Sequence, residues 1–265
     1  MTNNFQDFSK ALIDKAKEYS EVHRNSQEIS LGSKKIKLFF SPSGKFYNLI
    51  STAFISNNLE LPNFATIHVW DSSFPGKLPD FTFAEEYIVR NTVVPEEMTL
   101  PYRVLFDRGQ GFIFVFDTAK REGVVWHRDF TMMDEKCFVA PFRIILSWIA
   151  AEFNSEIIHA AAVEISEKAI LISGPSGSGK SSLALIALQN SLPVLTDDAL
   201  ILESDGKVFP LYRKIKTNSD NPILDLDKIS KLKREQLNEG KLIISLPESD
   251  SEKQPLKIGA MVFPI

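Results

Sequence analysis

The chain has 265 residues, 44% of them hydrophobic and 24% charged, with a formal net charge of −4. These are globular values, enough for one large domain or two ordinary ones, and the negative balance argues against nucleic acid as a partner. A single cysteine, Cys137, excludes a disulfide within the chain and fits a reducing compartment.

The N-terminus is polar and carries neither a basic n-region nor an apolar h-region. No apolar run reaches membrane-spanning length. The expected location is therefore the cytoplasm, with no membrane partner. Phe5, Phe8, Leu12, Ala16, Tyr19 and Val22 recur every three or four residues and predict an amphipathic helix to His23. Two short strands are expected at 29–31 and 35–40, a helix over 46–55 and a strand at 65–70. Residues 71–97 read as irregular. A meander of strands follows at 102–106, 111–117 and 123–127, linked by Asp107-Arg-Gly and Lys120-Arg-Glu-Gly. The neighbours of Cys137 suggest a buried, inert thiol. Pro141 is expected to open a helix through Glu152. One strand is predicted over 157–165 and a second over 168–173, with a helix over 180–190 and a strand at 194–196 after them. A hairpin is expected about Asp205-Gly206, then a helix over 224–238 and strands at 242–245 and 258–263. The basic clusters Arg213-Lys214-x-Lys216 and Lys231-Leu-Lys-Arg234 read as solvated faces. The run from Ala260 to Ile265 stops inside an apolar strand pattern, which suggests a piece of a longer protein.

The most informative segment is Gly174-Pro175-Ser176-Gly177-Ser178-Gly179-Lys180-Ser181, followed by Ser182. It fits the G-x-x-x-x-G-K-[ST] phosphate-binding pattern and lies between a predicted strand and a predicted helix, the context that pattern requires. The four fixed positions match by chance on the order of once in 10⁴ windows. Glycines let the backbone bring successive N–H groups toward phosphate oxygens, and the helix N-terminus adds partial positive charge. Lys180 can reach the β- and γ-phosphates, and the Ser181 hydroxyl can ligate Mg²⁺. The nucleotide expected is ATP.

Asp197 and Asp198 end the strand after that helix, only 17 residues beyond Lys180. If that strand lies parallel and adjacent to the loop strand, both deliver their C-terminal ends to one sheet edge. Phosphoryl transfer needs a carboxylate for Mg²⁺ and a group to orient or deprotonate the nucleophile. Two neighbouring carboxylates can divide those tasks. His159, within an apolar strand pattern, suits a hydrogen-bonded core residue as well as a functional one.

Ile158-His159-Ala160, the loop 174–181 and Pro193-Val-Leu-Thr-Asp-Asp198 together resemble the C-terminal domain of HPr kinase/phosphorylase and its relatives. The resemblance covers about residues 157–205. It implies an α/β fold of the HPr kinase/phosphoenolpyruvate carboxykinase type and an ATP-dependent, serine-type kinase activity using Mg²⁺. By the same resemblance, Asp197 with Ser181 serves the metal, Asp198 is the general base, and His159 sits near the transferring phosphate. Ser182 stands where the family carries Glu, and the family's Gly- and Arg-rich segment downstream is missing. HPr itself is therefore not the expected substrate. The expected partition is an α+β N-terminal domain, 1–140, and a nucleotide-binding domain, 141–265. The acceptor is a hydroxyl of a protein, peptide or small molecule. Self-association stays open. A regulatory nucleotide-binding module with little turnover is the alternative reading, and a carboxykinase that anchors a dicarboxylate through Arg143 or Arg213 is a third.

Overall fold

A computed structural model of the protein describes residues 2–23, 25–40, 47, 50–55, 61–72, 78–84, 93–133, 137, 139–237, 240–247 and 254–264. Helices and three β-sheets alternate along the chain, in a mixed α/β arrangement. Helix α1 spans Thr2–His23. It is followed by strands β1 (Asn25–Leu31), β2 (Lys34–Phe40) and β3 (Asn63–Asp71). A short helix α2 (Glu96–Thr99) leads into the meander β4 (Tyr102–Asp107), β5 (Phe112–Asp117) and β6 (Glu122–His127). These six strands form one sheet in the order β1-β2-β3-β6-β5-β4, with β3 parallel to both β2 and β6. The helix expected over 46–55 is shorter: Tyr47, Ile50 and Ser51 are helical, but Thr52 and Ala53 form a turn and Phe54 bridges to Tyr212, while 46, 48 and 49 lie outside the described residues.

The apolar run Phe112-Ile-Phe-Val-Phe116 shows why this sheet has two covered faces. Successive side chains point to opposite sides of a strand. Ile113 and Val115 pack with Phe5, Phe8 and Leu12 of α1. Phe112, Phe114 and Phe116 pack on the other face with helix α3 (Arg143–Ala151) and with Ala199, Ile201 and Tyr212. That second core joins residues from both sides of position 140. Gly123 permits the close approach of α3: a Cβ there would lie 2.8 Å from Ile145 Cδ1 and 3.0 Å from Val115 O. Helix α3 starts at Arg143, two residues later than Pro141, because Phe142 at its N-cap takes a left-handed conformation with φ 61°.

A polar network pins α1 to the sheet. Lys17 Nζ lies 2.5 Å from Glu122 Oε2, His68 Nε2 lies 3.2 Å from Glu122 Oε1, and Ser20 Oγ contacts His68 Nδ1 at 2.7 Å. Burial pushes the Glu122 carboxyl up, but the His68 and Lys17 contacts outweigh it and leave it below its ordinary value. Its stabilising contribution is therefore present at neutral pH and disappears as pH falls through the lowered value. Glu122→Ala should cost about 1–3 kcal/mol at pH 7, because the buried His68 and the Lys17 ammonium lose their acceptor. Urea denaturation at pH 7 and in acid checks this: the gap between the two proteins should shrink in acid, and equal stability at pH 7 would show the network to be idle.

The second sheet has seven strands in the order β10-β8-β9-β16-β12-β11-β7. They are β7 (Ser155–Ile158), β8 (Ala161–Ile165), β9 (Lys168–Ile172), β10 (Val194–Thr196), β11 (Leu200–Glu203), β12 (Lys207–Pro210) and β16 (Leu256–Val262). Helix α4 (Lys180–Gln189) packs on one face through Ala184 and Leu185. A third sheet, in the order β13-β15-β14, consists of β13 (Lys214–Asn218), β14 (Arg234–Leu237) and β15 (Lys241–Ser245).

Three expectations are corrected here. The single strand predicted over 157–165 is two strands that break at His159 and Ala160. Strand β7 pairs with β11 at the sheet edge, while β8 pairs with β9 and β10. Second, β10 is not adjacent to the loop strand β9. Strand β8 lies between them and is antiparallel to both, so β9 and β10 still run the same way. Third, the helix predicted over 224–238 is a series of turns ending in β14. Asp225 Oδ1 accepts from the Asp227 and Lys228 N–H groups at 3.1 and 3.3 Å, a side-chain turn that competes with helix. Among the described residues no helix is long and apolar enough to cross a membrane.

Candidate functional site

Strand β9 runs parallel to β16, and the ladder extends to the start of the loop, where Ser173 N donates to Val262 O at 2.9 Å. The loop then turns into α4. Gly177 and Gly179 have φ of 83° and 94°, conformations that a side chain would strain. Gly179 is the N-cap of α4, whose first N–H groups have no partner within the helix. Lys180 is buried, and its Nζ donates to Gly174 O at 2.8 Å and Pro175 O at 3.0 Å. Gly174 and Pro175 thus serve through their carbonyls. Ser178 Oγ is buried without a hydrogen-bond partner. Ser176, Gly177, Gly179, Lys180, Ser181 and Ser182 line a half-open cleft of about 430 Å³.

Asp197 and Asp198 follow β10 and line the same cleft. The strand end is fixed by Thr196 Oγ1, which donates to Tyr212 O at 3.0 Å. Asp197 is buried; its Oδ2 accepts from Lys216 N at 3.4 Å, and its Oδ1 has no hydrogen-bond partner. Burial pushes its pKa up to about 6, against the pull of the Ser181 hydroxyl, the Lys216 N–H and the Lys180 charge, and Asp198 pushes the same way as burial. The folded protein therefore holds this proton more tightly than the unfolded chain does. The group's contribution to stability falls as pH rises from about 4 to about 6. At pH 7 the ionised carboxylate costs on the order of 3 kcal/mol. Asp197→Asn should accordingly raise the melting temperature of the ligand-free protein at pH 7. A variant that melts lower at pH 7 than the parent would contradict this.

Asp198 is more open, with 25% of its side chain exposed. Its Oδ2 lies 3.4 Å from Arg143 Nη1, and its Oδ1 lies 3.3 Å from His159 Nδ1. His159 Nδ1 is also 2.8 Å from the Asp198 carbonyl oxygen. A carbonyl only accepts, so Nδ1 carries the hydrogen and Nε2 is left as the basic nitrogen. His159 is not a core residue: it occupies the break between β7 and β8, half-exposed, on the cleft wall.

Several residues in or beside the cleft have no such place in the sequence reading, where Arg143 enters only as a candidate dicarboxylate anchor. Arg143, at the start of α3, reaches Asp198 across 55 residues of sequence. Lys216, Thr217, Asn218 and Lys241 form the opposite wall, from the paired strands β13 and β15. Lys241 Nζ donates to Asn218 Oδ1. The cluster Arg213-Lys214-x-Lys216 is a solvated face only in part: Lys216 is exposed, Arg213 half-buried and Lys214 buried. That burial pushes the Lys214 pKa down against the partial support of Glu235, and Lys216 faces the cleft. Cys137 is half-buried and lines a second cavity.

Among the described residues no three His, Cys, Asp or Glu side chains cluster as a metal site. The donor set at the cleft suits a different mode. One buried carboxylate with an open oxygen, beside a serine hydroxyl, is what Mg²⁺ uses when phosphate oxygens and water complete its shell. Compared with known proteins, the chain matches no family model and no curated protein.

Proposed function

We propose that the chain is an HPr kinase-like, ATP-dependent phosphotransferase that moves the γ-phosphoryl group to a hydroxyl. The observation that carries this reading is one cleft bearing a glycine-rich loop at a helix N-terminus, a buried carboxylate with an unpartnered oxygen, and a second, solvent-facing carboxylate. In this reading residues 141–265 handle the nucleotide and residues 1–140 form a second part beside it.

The loop N–H groups, Lys180 and the cationic wall of Lys216 and Lys241 attract the triphosphate. Ser181 and Asp197 would hold Mg²⁺, which when bound offsets charge on the β- and γ-phosphates. Asp198 takes the acceptor's proton as the new O–P bond forms and the bond from the γ-phosphorus to the bridging oxygen breaks. ADP leaves with that electron pair. Arg143 orients the Asp198 carboxylate, and its position beside the cleft suits charge developing on the transferred group. Because Asp198 is partly exposed, it can shed the proton to water afterwards. A module that only binds nucleotide has no use for this second carboxylate.

Calorimetric titration with ATP tests the reading. Affinity should be clearly higher in Mg²⁺ than in EDTA. Equal affinity under the two conditions, or no binding at all, would remove it.

A further inference from the structure

We infer that the phosphoryl acceptor is a small hydroxyl-bearing molecule with an apolar body, and that it binds in a second cavity that meets the phosphate cleft at Asp198. This deepens the kinase reading and rests on it.

The cavity measures about 620 Å³ and lies between the β4–β5 turn, residues 132–133 and 137, and the segment 140–144 that opens α3. That volume is typical of sites for small organic ligands. Two residues, Ala140 and Asp198, line both this cavity and the phosphate cleft, and Arg143 stands on its wall. Phosphoryl transfer requires the nucleophile to approach the γ-phosphorus opposite the leaving oxygen, with the base within reach of the attacking hydroxyl. A carboxylate at the junction of two concavities meets that requirement: donor on one side, acceptor on the other. The acceptor oxygen forms its bond to phosphorus, the bond to the ADP oxygen breaks, and the acceptor proton passes to Asp198.

The lining describes the acceptor. Phe112, Phe114, Met133 and Phe142 give an apolar floor, with Phe112 and Phe114 stacked at 5.2 Å between ring centres. Polar groups share the lining: Asp107 and Gln110 of the β4–β5 turn, and Arg143 and Asp198, of which Asp198 also lines the phosphate cleft. A ligand held here presents its hydroxyl to Asp198 and buries its body against aromatic and thioether surface. A serine on a folded protein instead needs a broad, flatter contact face.

Cys137 lines this cavity and is the chain's single cysteine, which makes it a selective handle. The full chain is treated with N-phenylmaleimide, then incubated with γ-labelled ATP, Mg²⁺ and a cell extract separated into low-mass and protein fractions. Label should appear in a low-mass species other than ATP and inorganic phosphate, and only when the chain is added. Alkylation should reduce that transfer at least about tenfold, because a misplaced acceptor loses its alignment, and should leave ATP affinity unchanged by calorimetry. Cys137→Ser protein should transfer label at the same rate with and without the reagent. Label that moves into the protein fraction overturns the acceptor class alone. Label that enters that low-mass species regardless of alkylation overturns the cavity. ATP bound with no label moved anywhere overturns the kinase reading, and this inference falls with it.

Discussion

Replacing Asp198 with asparagine is expected to lower the kcat of phosphoryl transfer by about 10²–10⁴-fold, the range of a general base. ATP affinity should stay nearly unchanged. The asymmetry follows from when the group acts. A base engages the attacking hydroxyl only in the transition state, so its loss appears in turnover and not in ground-state binding. The geometry makes the test sharp. Asparagine keeps an oxygen for the Arg143 contact at 3.4 Å and leaves the backbone carbonyl that accepts from His159 untouched. What disappears is the proton-accepting charge. Single-turnover kinetics with labelled ATP, beside a calorimetric titration, read the two quantities separately. A variant that transfers phosphate at the parent rate would move the role to another group, and His159→Ala would be the next measurement, since Nε2 is the other basic atom on that wall.

Lys180→Ala should weaken ATP binding by about tenfold to a hundredfold, from a charge-assisted phosphate contact worth roughly 1.5–3 kcal/mol. The ammonium is buried and held by the Gly174 and Pro175 carbonyls at 2.8 and 3.0 Å. It is thus poised inside the loop before any phosphate arrives, and its removal also takes a donor from both carbonyls, of which Pro175 O keeps the Ser178 N–H at 3.2 Å. Circular dichroism separates the binding loss from unfolding: the helix and sheet signal should persist. Arginine at this position is not expected to restore binding, because a planar fork replaces a compact point charge. Unchanged affinity in a folded Lys180→Ala protein would end the phosphate-loop reading.

Patterns set by near neighbours were legible in the sequence. The helix face of Phe5, Phe8, Leu12 and Ala16, the meander from Tyr102 to His127 and the hairpin at Asp205-Gly206 all rest on side-chain period or turn chemistry within a few residues, and each is present in the fold. The same holds for the strand–loop–helix unit around Lys180, because eight consecutive residues define it. Where long-range pairing competed with local pattern, the pattern misled. Residues 157–165 look like one strand, yet Ile157 pairs with Ile201 and Val163 pairs with Val194, so two partners at different places in the sheet break the run at His159. Residues 224–238 read as one helix, yet Leu224, Ile229 and Leu232 pack beneath the third sheet from a chain of turns.

The candidate site divides along the same line. The sequence by itself determined the loop and the Asp197–Asp198 pair, because a few consecutive residues define each. Only the tertiary structure decided that Asp197 is buried with an open oxygen, that His159 faces a cleft and not the core, and that Arg143, Lys216 and Lys241 join them. Burial and convergence depend on which distant strands pair, and no local period records that choice.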